Sequence, residues 1–183
     1  MLGPPNSGKG TQAACLAEHL GLVHISSGNV FREVTEDDSR FGRSVKSFLE
    51  SGYLVPDDLV IQIMFQSLKN LVTEGSGAIL DGFPRTLKQA EALNMHLPAL
   101  GMRISAVISI DVREQELLRR AQLRRRGDDV PEVIIKRIGV YQQSTLPLVE
   151  YYRGQGFLIC VDGNSCVQSV TERILGRLGV VVN

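Results

Sequence analysis

The feature that most limits how this chain can fold is a rhythm of four short apolar runs separated by longer amphipathic stretches. The runs lie at 23–25, 78–80, 106–110 and 157–161, and two of them are almost wholly aliphatic. Apolar runs of this length, bounded by turn residues, read as strands buried on both faces. Helical periodicity fills the intervals, at roughly 9–20, 29–50 in two pieces, 57–73, 86–96, 113–125, 131–153 and 166–178. Such alternation predicts an α/β fold whose parallel sheet is covered by helices on both faces. Right-handed crossovers then bring the C-terminal ends of the strands to one edge, where ligands gather. No internal repeat or low-complexity linker divides the 183 residues, so one domain, 1–183, is expected.

Charge narrows the partners. Lys plus Arg and Asp plus Glu each number 20, which gives wholesale nucleic-acid binding no global electrostatic support. Arg nevertheless outnumbers Lys by fifteen to five, and guanidinium forks match phosphate oxygens bidentately where an ammonium does not. Cys15, Cys160 and Cys166 stand at unrelated spacings that suggest neither a disulfide framework nor a zinc site. Reduced thiols, a cytoplasmic setting and no membrane attachment are the expectations, since no apolar stretch approaches the ~20 residues of a membrane span.

The segment Gly3-Pro4-Pro5-Asn6-Ser7-Gly8-Lys9-Gly10-Thr11 fits G-x-x-x-x-G-K. A turn of this kind aims backbone N–H groups at a polyphosphate, and the helix leaving it adds N-terminal partial positive charge. Lys9 can reach the β- and γ-phosphates. The strict pattern wants Ser or Thr after the Lys, a slot held here by Gly10, with Thr11 following. Asn6 stands where glycine is usual, and Asn tolerates left-handed backbone better than most residues. Only Met1 and Leu2 precede the loop, so the expectation is a severely shortened first strand or a sequence lacking upstream residues.

The second strong signal is Ala78-Ile79-Leu80-Asp81-Gly82-Phe83-Pro84-Arg85. An apolar strand ends in Asp81, where a carboxylate could hold the water shell of a magnesium ion, and a Pro-rigidified turn then presents Arg85. Gln89 follows one helical turn later on the same face, with an amide able to read an adenine edge by one donor and one acceptor. Upstream, Ser27-Gly28 suits a helix start, with Arg32 one turn in. Gly52-Tyr53-Leu54-Val55-Pro56 reads as a helix stop. Downstream, five arginines between 119 and 126 precede Asp128 and Asp129, and Pro131 opens a helix that carries Arg137. A charge run is ordinarily a solvated face. Positioned cations around a transferring phosphoryl group give it a sharper purpose.

Gly8-Lys9-Gly10-Thr11-Gln12 and the D-G-F-P-R at 81–85 together resemble the nucleoside-monophosphate kinases, and the short-lid adenylate kinases in particular. The resemblance runs from Gly3 to the C-terminal helix. It implies a three-layer α/β/α fold with a five-stranded parallel sheet, an acceptor-binding segment at 26–55 and a small lid at 119–129. It also implies that the γ-phosphoryl of ATP passes reversibly to AMP, giving two ADP, with magnesium held through water near Asp81 and no zinc. On the resemblance, Asn6, Ser7, Gly8, Lys9, Gly10, Thr11, Arg120 and Ser165 bind ATP. Ser27, Arg32, Leu54, Val55, Gly82, Arg85, Gln89, Arg126 and Arg137 bind AMP. Lys9, Arg85, Arg120, Arg126 and Arg137 surround the moving group, with Asp128 and Asp129 orienting the lid arginines. Arg119, Arg124 and Arg125 are expected on the surface, and the protein is expected to be a monomer. Three positions depart from the family pattern: Asn6 stands where the loop has a Gly, Asn29 replaces an Asp, which implies weaker metal affinity, and Ser165 aligns with a Gly. A UMP/CMP kinase, a non-catalytic nucleotide-binding module and a P-loop NTPase stand as alternatives, the last without an N-K-x-D guanine reader.

Overall fold

The computed structural model describes residues 1–36, 39–72, 76–124 and 131–180. Helix α1 (Lys9–Leu20) leaves the glycine-rich loop and is followed by β1 (Val23–Ser26), α2 (Ser27–Glu36), α3 (Arg40–Ser51) and α4 (Asp57–Val72). Strand β2 (Ala78–Asp81) leads through a turn into α5 (Leu87–His96), and β3 (Val107–Asp111) leads into α6 (Glu114–Arg124). Helix α7 (Pro131–Val140) runs on through a π-helical turn (Tyr141–Thr145) into α8 (Pro147–Gly154). Strand β4 (Leu158–Asp162) and α9 (Val167–Arg177) complete the order. All four apolar runs became strands, each within one residue of its expected limits.

Both strand pairs are parallel. Strands β1 and β2 align Val23 with Ala78 and Ser26 with Asp81, while β3 and β4 align Val107 with Leu158 and Asp111 with Asp162. Between the pairs lies the start of the chain. The Met1 nitrogen donates to Leu80 O at 2.8 Å, and Leu2 makes a parallel bridge to Ser109 through Leu2 N to Ile108 O (2.7 Å) and Ile110 N to Leu2 O (2.9 Å). Among the described residues the expected five-stranded sheet is therefore seen as two two-stranded sheets with Met1 and Leu2 between them. Leu2 contributes a single bridge, and Gly3, at φ 143°, turns the chain into the loop directly after it.

The core has two main parts. Met64, Leu68 and Phe83, with Ile25, Phe31 and Val45, pack α2, α3 and α4 against β1 and the turn after β2. Leu16, Ile110, Val161 and Ile174 pack α1 and α9 against β3 and β4. Leu16 and Ile174 are wholly inaccessible, and burying an aliphatic side chain to that extent contributes ~2 kcal/mol. Because the strands are parallel, Ser26 and Asp81 end one pair together, and Asp111 and Asp162 end the other. Gly82 and Arg85 sit on the loop that leaves β2, Ser165 on the one that leaves β4, and Ser27 opens α2 directly after β1. No helix of the described residues is long and apolar enough to cross a membrane.

Candidate active site

The glycine-rich loop has the backbone its sequence implied. Asn6 (φ 64°) and Gly8 (φ 91°) are both left-handed, a conformation Asn adopts more readily than most side-chain-bearing residues. Gly8 caps α1, and Lys9 begins it, folding back to donate from Nζ to Pro4 O at 2.7 Å. The glycine after the lysine has a steric explanation. A Cβ on Gly10 would lie 3.2 Å from Asp81 Oδ2, so the small residue admits the β2 carboxylate beside the loop. Gln12, buried one turn into α1, donates to Val167 O (3.0 Å) and accepts from Thr171 Oγ1 (2.8 Å), tying α1 to α9.

A second cluster assembles where β1 and β2 end. Ser27, 1% exposed, opens α2 and donates from Oγ to Gly82 O at 2.8 Å. Arg85 donates from Nε to the same carbonyl at 2.8 Å, so Ser27, Gly82 and Arg85 meet at one atom. The Arg85 main chain is held as well: its N–H donates to Gln89 Oε1 (2.7 Å), and its carbonyl accepts from Thr145 Oγ1 (2.8 Å). The Arg85 side chain opens onto solvent at the strand edge, yet protein surrounds it on its other sides. That surrounding protein lowers its pKa from the usual arginine range, with Asp81 raising it and Arg137 lowering it again. The three groups therefore share one electrostatic neighbourhood. His24 Nε2 lies 3.8 Å from Asp81 Oδ2 and has no hydrogen-bond partner.

Gln89 is buried, 1% exposed, rather than lying on an open helix face. Its Nε2 donates to Asp57 Oδ1 at 2.7 Å. Arg32 is exposed on α2 and pairs with Asn29 Oδ1. Val55 is buried in the core beside half-buried Leu54. Arg137, on α7, donates to Leu49 O at 3.0 Å, and Lys136 stacks 3.5 Å over the Tyr53 ring, so α7 rests on the end of α3.

On the other side of the loop, Arg120 spans three acceptors: Glu116 Oε1 (2.7 Å), Ser7 O (3.2 Å) and Gly163 O (2.7 Å). Its neighbour Arg119 is mostly exposed and forks onto Glu116 at 2.7 and 2.8 Å. Hydrogen bonds from Arg119 and then Arg120 hold the Glu116 carboxyl down at about 2. These groups line a cavity of about 430 Å³ together with Thr11, Ser165 and Val167. Ser165 itself accepts from Arg173 at 2.9 Å. A larger cavity, about 530 Å³, opens among Leu97, Met102, Ile104 and Phe157 at the N-terminal ends of β3 and β4. It contains no motif residue, and the smaller cavity, which the glycine-rich loop enters, is the candidate donor site.

The structure thus brings Lys9, Gly10, Asp81, Gly82, Ser27 and Arg85 to the strand ends, with Arg120 and Ser165 around the adjoining cavity. Arg126, Asp128 and Asp129, and with them the lid beyond residue 124, lie outside the described residues. Sequence reasoning passed over Glu116, Asp57 and Thr145. Glu116 alone left a local signal, the helical i, i+3 and i, i+4 spacing to Arg119 and Arg120.

The family model described as adenylate kinase matches residues 1–157. The chain belongs to the adenylate kinase family. It is 44% identical over 178 residues to the adenylate kinase of a Cyanothece species, covering 95% of this chain and 91% of that one. The Thermus thermophilus adenylate kinase is 43% identical over 184 residues, with 98% and 96% covered. The Mycobacterium tuberculosis adenylate kinase is 44% identical over 179 residues, with 98% and 97% covered. The chain is accordingly a nucleoside-monophosphate kinase, and its clustered arginines belong to an enzyme that handles nucleotides.

Proposed function

We propose that this adenylate kinase family member transfers the γ-phosphoryl group of ATP to AMP, reversibly and with magnesium, to give two ADP. One observation carries the reading most directly. Gly10 of the phosphate loop lies against Asp81, four residues before Arg85, so a polyphosphate in the loop and an acceptor phosphate on Arg85 share one strand edge. The two strand pairs and Met1–Leu2 make up one five-membered parallel layer between helices, with 26–55 as the acceptor segment and 119–129 as the lid. The protein acts as a cytoplasmic monomer.

In this reading, loop N–H groups and Lys9 hold the ATP phosphates, Arg120 reaches the transferring phosphoryl group, and Ser165 lies beside the adenine. Arg85 and Arg32 hold the AMP phosphate in line, with Ser27, Leu54, Val55, Gly82 and Gln89 around the base. Arg126 and Arg137 complete the positive surround. The acceptor phosphate is already ionised, so no general base is required, and the chain's work is positioning and charge stabilisation. Magnesium fits the donor set: it is typically held by one or two carboxylates and the substrate's own phosphates, and Asp81 supplies one carboxylate beside the loop. When bound, the ion neutralises charge on the β- and γ-oxygens.

The test is an acceptor panel of AMP, GMP, CMP and UMP with γ-labelled ATP, run with and without magnesium. AMP is the expected acceptor. Preferential labelling of UMP or CMP would move the enzyme to the pyrimidine branch, and nucleotide binding without label transfer would make it a binding module. Arg85→Ala is expected to lower turnover with AMP by roughly 10²-fold or more while the protein stays folded.

A further inference from the structure

We propose that Asp57 is a positioning residue for Arg85, acting through the buried amide of Gln89. The inference rests on the reading of Arg85 as the ligand of the acceptor phosphate.

The chain of contacts is short and directional. Asp57 Oδ1, at the start of α4, accepts from Gln89 Nε2 at 2.7 Å and from Thr86 Oγ1 at 3.0 Å. Thr86 caps α5, its Oγ1 accepting from Gln89 N at 3.2 Å. The other end of the Gln89 amide accepts the Arg85 N–H at 2.7 Å. An amide can turn over by 180°, exchanging its donor and acceptor ends. Turned over here, it would set its NH₂ group against the Arg85 N–H and its oxygen against the Asp57 carboxylate. Both bonds would be lost and like groups would face each other in a site where Gln89 is 1% exposed. Asp57 therefore fixes which end of Gln89 meets the Arg85 backbone. Because Arg85 Nε and Ser27 Oγ share Gly82 O, movement of that peptide moves the acceptor cluster with it.

The bland alternative is that Asp57 only favours the start of α4, where a carboxylate interacts well with the helix N-terminus. That role predicts lost stability without selective loss of acceptor binding, and it does not run through Arg85. The two are separated by kinetics with AMP and ATP varied independently. The proteins are the parent, Asp57→Ala, Asp57→Asn, Arg85→Ala and the Asp57→Ala/Arg85→Ala double variant, each with its Tm recorded.

Asp57→Ala is expected to raise KM for AMP about tenfold, the scale of one buried hydrogen-bond partner removed, with KM for ATP within about twofold. Asp57→Asn keeps an acceptor oxygen but loses the charge, and should recover most of the AMP affinity. In the Arg85→Ala background, Asp57→Ala should add less than about twofold. If Asp57→Ala does not fold, Asp57→Ser takes its place, keeping a polar group at the start of α4 that is too short to reach Gln89. Full additivity in the double variant, equal effects on both KM values, or no rescue by Asp57→Asn would each overturn the inference. Near-normal turnover in Arg85→Ala would instead overturn the reading beneath it.

Discussion

Gly82→Ala tests the acceptor cluster most severely, because one methyl group meets two of its members. Gly82 is left-handed at φ 75°, and a Cβ there would sit 2.5 Å from Ser27 Oγ and 2.9 Å from Arg85 Nη2. Left-handed backbone costs a side-chain-bearing residue ~1–2 kcal/mol. Driving Ser27 Oγ off Gly82 O removes a bond of ~1 kcal/mol. Together these give about 2–3 kcal/mol, which for a protein of this length lowers Tm by roughly 5–10 °C. The Arg85 tip can swing away at little cost to stability, but it then leaves the acceptor phosphate. A displacement on the order of 1 Å at a positioning group costs about 10²-fold in rate. Steady-state ADP formation with AMP varied should therefore show kcat/KM for AMP down roughly a hundredfold, with KM for ATP within about twofold. Gly101→Ala is the internal control: Gly101 is also left-handed, at φ 68°, with nothing within 4 Å of the added Cβ. It should lose only the backbone share, ~1–2 kcal/mol, and no activity. A Gly82→Ala protein with the melting behaviour of Gly101→Ala and unchanged AMP kinetics would refute the reasoning.

Thr145→Val, nearly isosteric and buried, removes the hydroxyl that donates to Arg85 O; KM for AMP should rise about five- to tenfold in the same assay, with little change for ATP. Gly163→Ala would press a Cβ to 2.4 Å from Ile110 Cγ2 and 2.7 Å from Val112 Cγ2, overpacking that costs ~1–3 kcal/mol and is measurable as a fall in Tm. Glu116 supplies a pH test. Its carboxyl is depressed from 4.5 to about 2 by Arg119 and Arg120, so its contribution to stability is full above pH 4.5 and is lost as pH falls towards 2. The stability difference between the parent and Glu116→Gln should close across that window in acid-unfolding curves. Because Arg119 is mostly exposed, added salt should narrow the difference at neutral pH. A difference constant from pH 6 to 2 would count against the pairing.

The elements were legible because burial leaves a periodic trace. The aliphatic run 106–110 could be little other than a buried strand, and β3 has four buried residues in succession. The glycine-rich loop and D-G-F-P-R were legible because their chemistry is local, a turn and a strand end that must present certain groups. What stayed hidden depends on partners distant in sequence. Nothing near Thr145 announces a bond to Arg85, 60 positions away, and nothing near Asp57 announces Gln89, 32 positions away. The burial of Gln89 was missed for the same reason: helical spacing places it on the face of Arg85, but only the packing of α4 against α5 closes that face. The bridging of Leu2 to Ser109 likewise depends on where β2 and β3 leave room between them.

Lys9, Arg85, Arg120 and Arg137 each donate to a main-chain carbonyl: Pro4 O, Gly82 O, Ser7 O with Gly163 O, and Leu49 O. These bonds hold long, flexible cations near their stations before any nucleotide arrives, so less side-chain freedom is lost on binding. A carbonyl is also an acceptor that a phosphate can replace. A hydrogen bond to a neutral partner is worth ~0.5–1.5 kcal/mol net, whereas one to an anion is worth ~1.5–3 kcal/mol, so the exchange runs towards phosphate. For Arg120, Glu116 Oε1 takes Nε while Nη1 and Nη2 rest on carbonyls, leaving the end of the fork able to exchange without giving up its anchor. A carboxylate in place of those two carbonyls would compete with the nucleotide for the same guanidinium. For Arg85 and Arg120 the arrangement therefore leaves guanidinium donors on carbonyls that a phosphate can displace, which suits a reversible transfer between two anionic nucleotides.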